Sequence, residues 1–299
     1  PEQLAAIRRE GVLVTHPDGS QSRHHLRVTN TLAGVPPADF ALILVKSYQT
    51  RNATRQAAKI LRPDGLALTL QNGLGNLELL ARAVGPQRAA IGITAQGATV
   101  TQPGQLHHAG EGPTYLAGAP SQLARLETIS ELFHAAGIET SQADNADSLV
   151  WGKLAINAGI NPLTALLNVS NGVLVENKIL RRVMSAAAEE VEQVAAAQGI
   201  RLPYASAAER TAEVSRATAS NRSSMLQDLS RQAPTEIEAI SGVVVQLGDK
   251  LGVPTPVNRF LFNLIKAKES GALGLNRLAK VASAISVGGE EAYASLRTG

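Results

Sequence analysis

The 299-residue chain contains no cysteine. Disulfides, thiolate nucleophiles and every zinc site that uses sulfur are thereby excluded. Aromatic residues make up only 3% of the sequence, with a single Trp, and there is no dense basic run. A nucleic-acid-binding surface would need such a run or aromatic platforms, so no nucleic-acid partner is expected. Long apolar stretches are missing too. The run FALILV at 40–45 is among the longest, far short of the ~18 residues of a membrane span. No basic segment leads into an apolar one as in a secretory signal. Charge of one sign is scarce, 28 Lys and Arg against 25 Asp and Glu leaving +3, a mild excess that suits small anionic ligands. A cytoplasmic enzyme acting on small molecules, with no membrane or nucleic-acid partner, is the simplest expectation.

What the chain does contain is ordinary globular material. The apolar fraction is 44% and the charged fraction 18%, too apolar for a disordered chain, and the length suggests two domains at about 150 residues each. Residues 1–143 alternate between strand-like and helix-like segments. Short strands are expected at 12–14 and 27–29 around the turn HPDG at 16–19, and a strand buried on both faces at 40–45. A helix is expected at 51–61, stopped by PDG at 63–65, then a strand at 66–70, a helix at 76–84 and a strand at 89–94. This rhythm argues for a parallel sheet flanked by helices. After Gly97, segments at 106–109 and 114–116 read as an antiparallel pair, followed by a helix at 121–136 and a strand near 138–141. From residue 144 to 299 the pattern is helical throughout, with helices expected at 147–161, 178–198, 205–219, 235–251 and 257–269. Gly199 and Gly252 stand where C-terminal helix caps would. The tail beyond Gly271 is rich in Ala, Gly and Ser and is expected to fray.

The candidate chemistry sits at strand ends and on one helix face. Lys46 follows the run at 40–45, and Asn72 follows the strand at 66–70. In open α/β sheets, ligands bind beyond the carboxyl ends of the strands. The segment WGKLAINAGINPLT at 151–164 spaces Lys153, Asn157 and Asn161 four residues apart, a single stripe on a helix. Pro162, lacking an N–H, is expected to end or kink that helix just after Asn161. A lysine among apolar residues can have its pKa lowered toward neutrality, which suits a proton donor. Asn221 and the following SSMLQD at 223–228, and Glu236 in TEI at 235–237, are weaker signals that helix caps and first turns also produce. Adjacent histidines at 24–25 and 107–108 point to opposite faces of a strand and make poor ligand pairs, so no metal is assigned.

Together VKSYQ at 45–49, QNGLG at 71–75, WGKLAINAGINPLT at 151–164, SSMLQD at 223–228 and TEI at 235–237 resemble the ketopantoate reductase (2-dehydropantoate 2-reductase) family, in order and spacing, across essentially the whole chain. The resemblance implies an α/β fold, with a Rossmann-like dinucleotide-binding domain over residues 1–143 and an all-helical substrate domain over 144–299. It implies NADPH-dependent reduction of 2-dehydropantoate to pantoate in pantothenate biosynthesis. Lys153 would be the general acid. Asn157, Asn161, Asn171, Asn221 and Ser224 would hold the substrate with it. Lys46, Asn72, Ala98 and Glu236 would line NADP, with Glu236 where nicotinamide and substrate meet. A homodimer is compatible with this reading. Another branched 2-oxo acid as substrate, or a non-catalytic remnant without dinucleotide binding, are the alternatives.

The family begins with a strand, a G-x-G-x-x-G turn, a helix and a second strand, and about thirty residues of that unit are not in this sequence. On this reading the Rossmann-like domain is incomplete at its start, and the strand at 27–29 and the one at 40–45 face each other across a gap two strands wide. The 299-residue chain is therefore expected to be poorly soluble or to bind NADPH far more weakly than a chain carrying the G-x-G-x-x-G unit. Fluorescence titration of NADPH into the purified protein checks this, and saturation in the low micromolar range would refute it.

Overall fold

Leu66, Ala67, Leu68 and Thr69 are consecutive residues with at most 1% of their surface exposed. A strand covered on both faces is what such a run encodes. The computed structural model describes residues 2–271 and places this run inside an α/β unit that extends through Leu154 and includes Ile200–Pro203. Its elements in chain order are α1 (Glu2–Glu10), β1 (Val12–Thr15), β2 (Gln21–His24), β3 (Ala38–Ile43), α2 (Thr50–Ile60), β4 (Leu61–Thr69), α3 (Asn76–Val84), β5 (Ala89–Thr94), β6 (Gly97–Gln102), β7 (Gln105–Gly110), β8 (Thr114–Ala117), α4 (Leu123–Ala135) and β9 (Thr140–Gln142). Strands β3, β4 and β5 are parallel, β8 joins β5 antiparallel, and β9 runs parallel to β8, giving the five-stranded order β3-β4-β5-β8-β9.

Alternation along the strands divides the core. Ile43, Ala67 and Ala89 pack with Ala57 of α2 and Leu80 and Val84 of α3. Leu66, Leu68, Ala90 and Leu116 pack on the other face with Leu126 and Ile129 of α4. A second, four-stranded sheet, β2-β1-β7-β6, combines the hairpin β1–β2 with the antiparallel pair β6–β7.

Several expectations are corrected here. Residues 27–29 form no strand; the hairpin partner of β1 is β2, which lies directly across the turn. The apolar run at 40–45 is not buried on both faces. Its strand, β3, is the outermost of its sheet among the described residues, and Leu42 and Leu44 are 44% and 62% exposed. Burial on both faces belongs to β4, which has a parallel neighbour on each side. The segments at 106–109 and 114–116 are not partners, because β7 joins one sheet and β8 the other. The PDG at 63–65 lies within β4.

The second unit holds Ala155–Gly199 and the described residues from Tyr204 onward. The long helix α5 (Ala146–Leu167) runs into it. The other helices are α6 (Val173–Glu176), α7 (Lys178–Ala196), α8 (Ala207–Ala217), α9 (Ser224–Ser230), α10 (Val243–Leu251) and α11 (Pro256–Glu269). Pro162 does not end α5; the helix continues to Leu167. Proline blocks only the bond to the carbonyl four residues back, and packing holds the rest. Ile160 and Leu163 are buried with Met184 and Ala187 of α7, and Thr164 Oγ1 donates to the Ile160 and Asn161 carbonyls. Gly159 lets α5 approach this closely, since a Cβ there would come 2.9 Å from both Met184 O and Thr211 Cγ2. Lys268 of α11 donates to the Ala165 and Leu166 carbonyls at 2.9 and 3.2 Å, filling the open acceptors at the C-terminus of α5. The helix expected at 235–251 instead starts with a wider π-type turn, Glu238–Gly242, before α10. Gly199 and Gly252 adopt the left-handed backbone of helix ends, φ 75° and 71°. The expected fraying beyond Gly271 lies outside the described residues.

A buried carboxylate ties α7 to α11. Glu190 is 7% exposed; it accepts the Val257 N–H at 2.7 Å and, through its other oxygen, the Asn258 N–H and Nδ2, each at 2.8 Å. The N-terminal N–H groups of α11, which have no partner within the helix, are thus satisfied by a neighbouring helix. Glu190→Ala should destabilise the protein by about 2–3 kcal/mol, lowering the thermal midpoint by roughly 5–10 °C. Calorimetry on the two proteins checks this.

Candidate active site

The carboxyl ends of β3 and β4 are locked together by one buried side chain. Gln71 Nε2 donates to the Val45 carbonyl and, at 2.8 Å, to Thr50 Oγ1, and its Oε1 accepts from Thr69 Oγ1 at 2.9 Å. Thr50 in turn donates to Asn76 Oδ1 at 2.9 Å, and Asn76 Nδ2 donates to the Asn72 carbonyl at 3.0 Å. This chain of bonds fixes the loops at 44–49 and 70–75. Lys46 and Asn72, both half-buried, sit on those loops. Gly73 and Gly75 have φ of 82° and 89°, which glycine adopts without cost. A Cβ on Gly75 would meet nothing within 4 Å.

The end of β5 holds the lysine. Lys153 Nζ donates to the Thr94 carbonyl at 2.8 Å. Beyond Thr94, Gln96 Nε2 donates to the Gly112 carbonyl at 2.7 Å and its Oε1 lies 2.8 Å from His108 Nε2, which fixes the entry to β6. Ala98 is exposed on β6, opposite His108 of β7. Lys46, Asn72 and Lys153 thus stand beyond the ends of three neighbouring parallel strands.

In the second unit, Asn157 and Asn161 lie one and two turns beyond Lys153 on the same face of α5. Asn157 Nδ2 is buried with no hydrogen-bond partner, as is Asn171 Oδ1. Asn171 is otherwise well held: its Nδ2 donates to Thr218 Oγ1 at 2.9 Å, its N–H donates to the Asn221 carbonyl at 3.0 Å, and its carbonyl accepts from Ser215 Oγ at 2.7 Å. Thr164 Oγ1 lies 2.7 Å from Ser223 Oγ, and Ser223 Oγ accepts the Leu226 N–H as the cap of α9. Ser224 is the exposed first residue of that helix. Glu236 is buried, 6% exposed, just before the π-type turn. The structure therefore gathers Asn171, Asn221 and the start of α9 near the second half of α5. Sequence reasoning gave no role to Gln71, whose only local signal is a polar residue directly after a buried strand.

The sequence profile of the ketopantoate reductase PanE/ApbA family matches residues 1–121, and that of its C-terminal part matches residues 145–269. The chain belongs to the ketopantoate reductase family. The 2-dehydropantoate 2-reductase of Halobacterium salinarum is 38% identical over 269 residues, 89% of this chain and 87% of that protein. The one from Archaeoglobus fulgidus is 37% identical over 235 residues, 78% of each. The crystal structure of a PanE/ApbA family ketopantoate reductase from Ralstonia eutropha, 29% identical, superposes with a TM-score of 0.82 over 90% of this chain and 88% of that one. D-mandelate dehydrogenase in complex with NADH and anilino(oxo)acetate, 23% identical, shares the fold, with a TM-score of 0.83 over the same fractions. The α/β fold of this chain is thus Rossmann-like and is followed by a helical region.

The residues present fit a nicotinamide dinucleotide lying across the strand ends: a loop shaped by Gly73 and Gly75 that leads into α3, and the lysines at 46 and 153. A cavity of about 810 Å³ is lined by His16, Gln96, His108, Glu111 and Glu139, among others, and by none of Lys46, Asn72, Ala98 and Lys153. Its two carboxylates suit an anionic substrate poorly. Gln71→Ala should strip partners from Thr50, Thr69 and the Val45 carbonyl, costing about 1–3 kcal/mol. Amide hydrogen exchange should speed up selectively at 44–49 and 70–75; unchanged exchange in both loops would show that Gln71 does not hold them.

Proposed function

We propose that this chain reduces the ketone of 2-dehydropantoate to the alcohol of pantoate, with NADPH as reductant and Lys153 as the proton donor. Bound NADPH supplies the hydride. The observation that carries the reading is on α5. An ammonium is tethered at the carboxyl end of the sheet by the Thr94 carbonyl, and one turn further a buried amide donor, Asn157 Nδ2, has no protein partner. A buried donor left unpaired costs about 1–3 kcal/mol, and an oxygen of a 2-oxo acid would satisfy it. Asn171 Oδ1, an unpaired acceptor, suits the substrate's hydroxyl. Asn161, Asn221 and Ser224 complete the substrate contacts in this reading, and Lys46, Asn72, Ala98 and Glu236 those to the dinucleotide.

The chemistry follows from charge. Hydride addition to a ketone develops negative charge on its oxygen, which a positioned ammonium stabilises and then protonates. An ammonium has three N–H donors, and Thr94 takes one while orienting the group. In an active form of the enzyme, Lys153→Ala should lower turnover by about 10²–10⁴-fold, the usual worth of a general acid, with NADPH affinity nearly unchanged. Steady-state kinetics and NADPH titration check this, and near-normal turnover in the variant would remove Lys153 from the mechanism.

A further inference from the structure

The segment that presents Glu236 is held from outside by α11. Glu269 Oε1 accepts the Thr235 N–H at 2.8 Å. Lys266 Nζ lies 3.0 Å from Glu238 Oε1 and 3.3 Å from Glu269 Oε2. The last turns of α11 therefore grip the residue before Glu236 by its backbone and the residue two after it by its side chain. Hydrogen bonds donated to Glu238 and then to Glu269 hold the Lys266 pKa above its ordinary value, so the ammonium is charged at neutral pH. The Glu269 side chain is only 17% exposed, which shields its bond to Thr235 from water. Between the two anchors, Thr235 Oγ1 accepts the Ile237 N–H at 3.2 Å, and the Glu236 carbonyl accepts the Ala239 and Ile240 N–H groups at 3.0 and 3.1 Å. The turn that follows is of the wide π type, a geometry that recurs at functional sites. It sits against α11 at Gly242, where a Cβ would come 3.0 Å from Phe262.

We propose that Glu269 and Lys266 are positioning residues for the reductase reaction, fixing the backbone from which Glu236 reaches its ligands. This rests on the reading above that Glu236 serves substrate and nicotinamide.

Two measurements test it. In Glu269→Ala, amide exchange over 234–242 should become about tenfold faster, the effect of losing one hydrogen bond to a charged acceptor. Glu269→Gln, which keeps an acceptor for the Thr235 N–H, should recover most of that protection. In a double-mutant cycle, Glu269→Ala should lower kcat/KM about tenfold alone and have no further effect in a Glu236→Gln background, as expected for residues acting through one another. Should Glu269→Ala fail to fold, Lys266→Met, at a half-exposed position, carries the same cycle through Glu238. Equal losses in both backgrounds, or unchanged exchange over 234–242, would overturn the proposal. A defective Glu236→Gln beside an unaffected Glu269→Ala overturns the positioning role alone. A Glu236→Gln variant with parental kcat/KM overturns the role of Glu236 and the positioning role with it.

Discussion

A polar atom that leaves water must find a partner inside the protein, and this constraint orders both units. Where it is met, backbone is fixed. Gln71, Thr50 and Asn76 satisfy one another and hold two strand-end loops; Glu190 satisfies the start of α11. Where it is unmet, something else must intervene. Orphaned atoms alone do not mark a site, because the hydroxyls of Thr211, Ser241 and Thr255 and Asn258 Oδ1 are also buried without partners. Asn157 differs from these in its place, on the face of α5 that carries Lys153 one turn earlier.

Beyond that face, α5 stays helical through Pro162. A break after Asn161 would have freed the next residues to turn away. Instead Thr164 remains in the helix and bonds to Ser223, which joins α5 to the start of α9. The packing of Ile160 and Leu163 against α7 thus outweighs the local preference of one proline, a common outcome when a helix is buried on several sides.

Local signals were legible wherever glycine and apolar spacing agreed. The boundaries of α3 and β5 read directly from the sequence, since α3 stands between Gly75 and Gly85, both at positive φ. The edge position of β3 was not legible, because an apolar run does not say which strands flank it. The separation of β7 and β8 into different sheets was hidden for the same reason: pairing is decided by distant segments. In the site, the strand-end placement of Lys46 and Asn72 and the stripe of Lys153, Asn157 and Asn161 followed from spacing. Gln71, Glu190 and Glu269 did not, as their partners are backbone groups 26, 68 and 34 residues away. No periodicity within one helix or strand encodes such a bond.

One turn of α11 carries more than its own packing. Lys268 seats the C-terminus of α5, and its neighbours Lys266 and Glu269 seat the segment around Glu236. Two stretches of chain, far apart in sequence, are thereby referred to a single fixed point. Thermal displacement of that turn carries both stretches in the same direction, so the spacing between them varies less than the position of either. The helix acts as a common datum, much as two instruments bolted to one rail keep their alignment while the rail shakes.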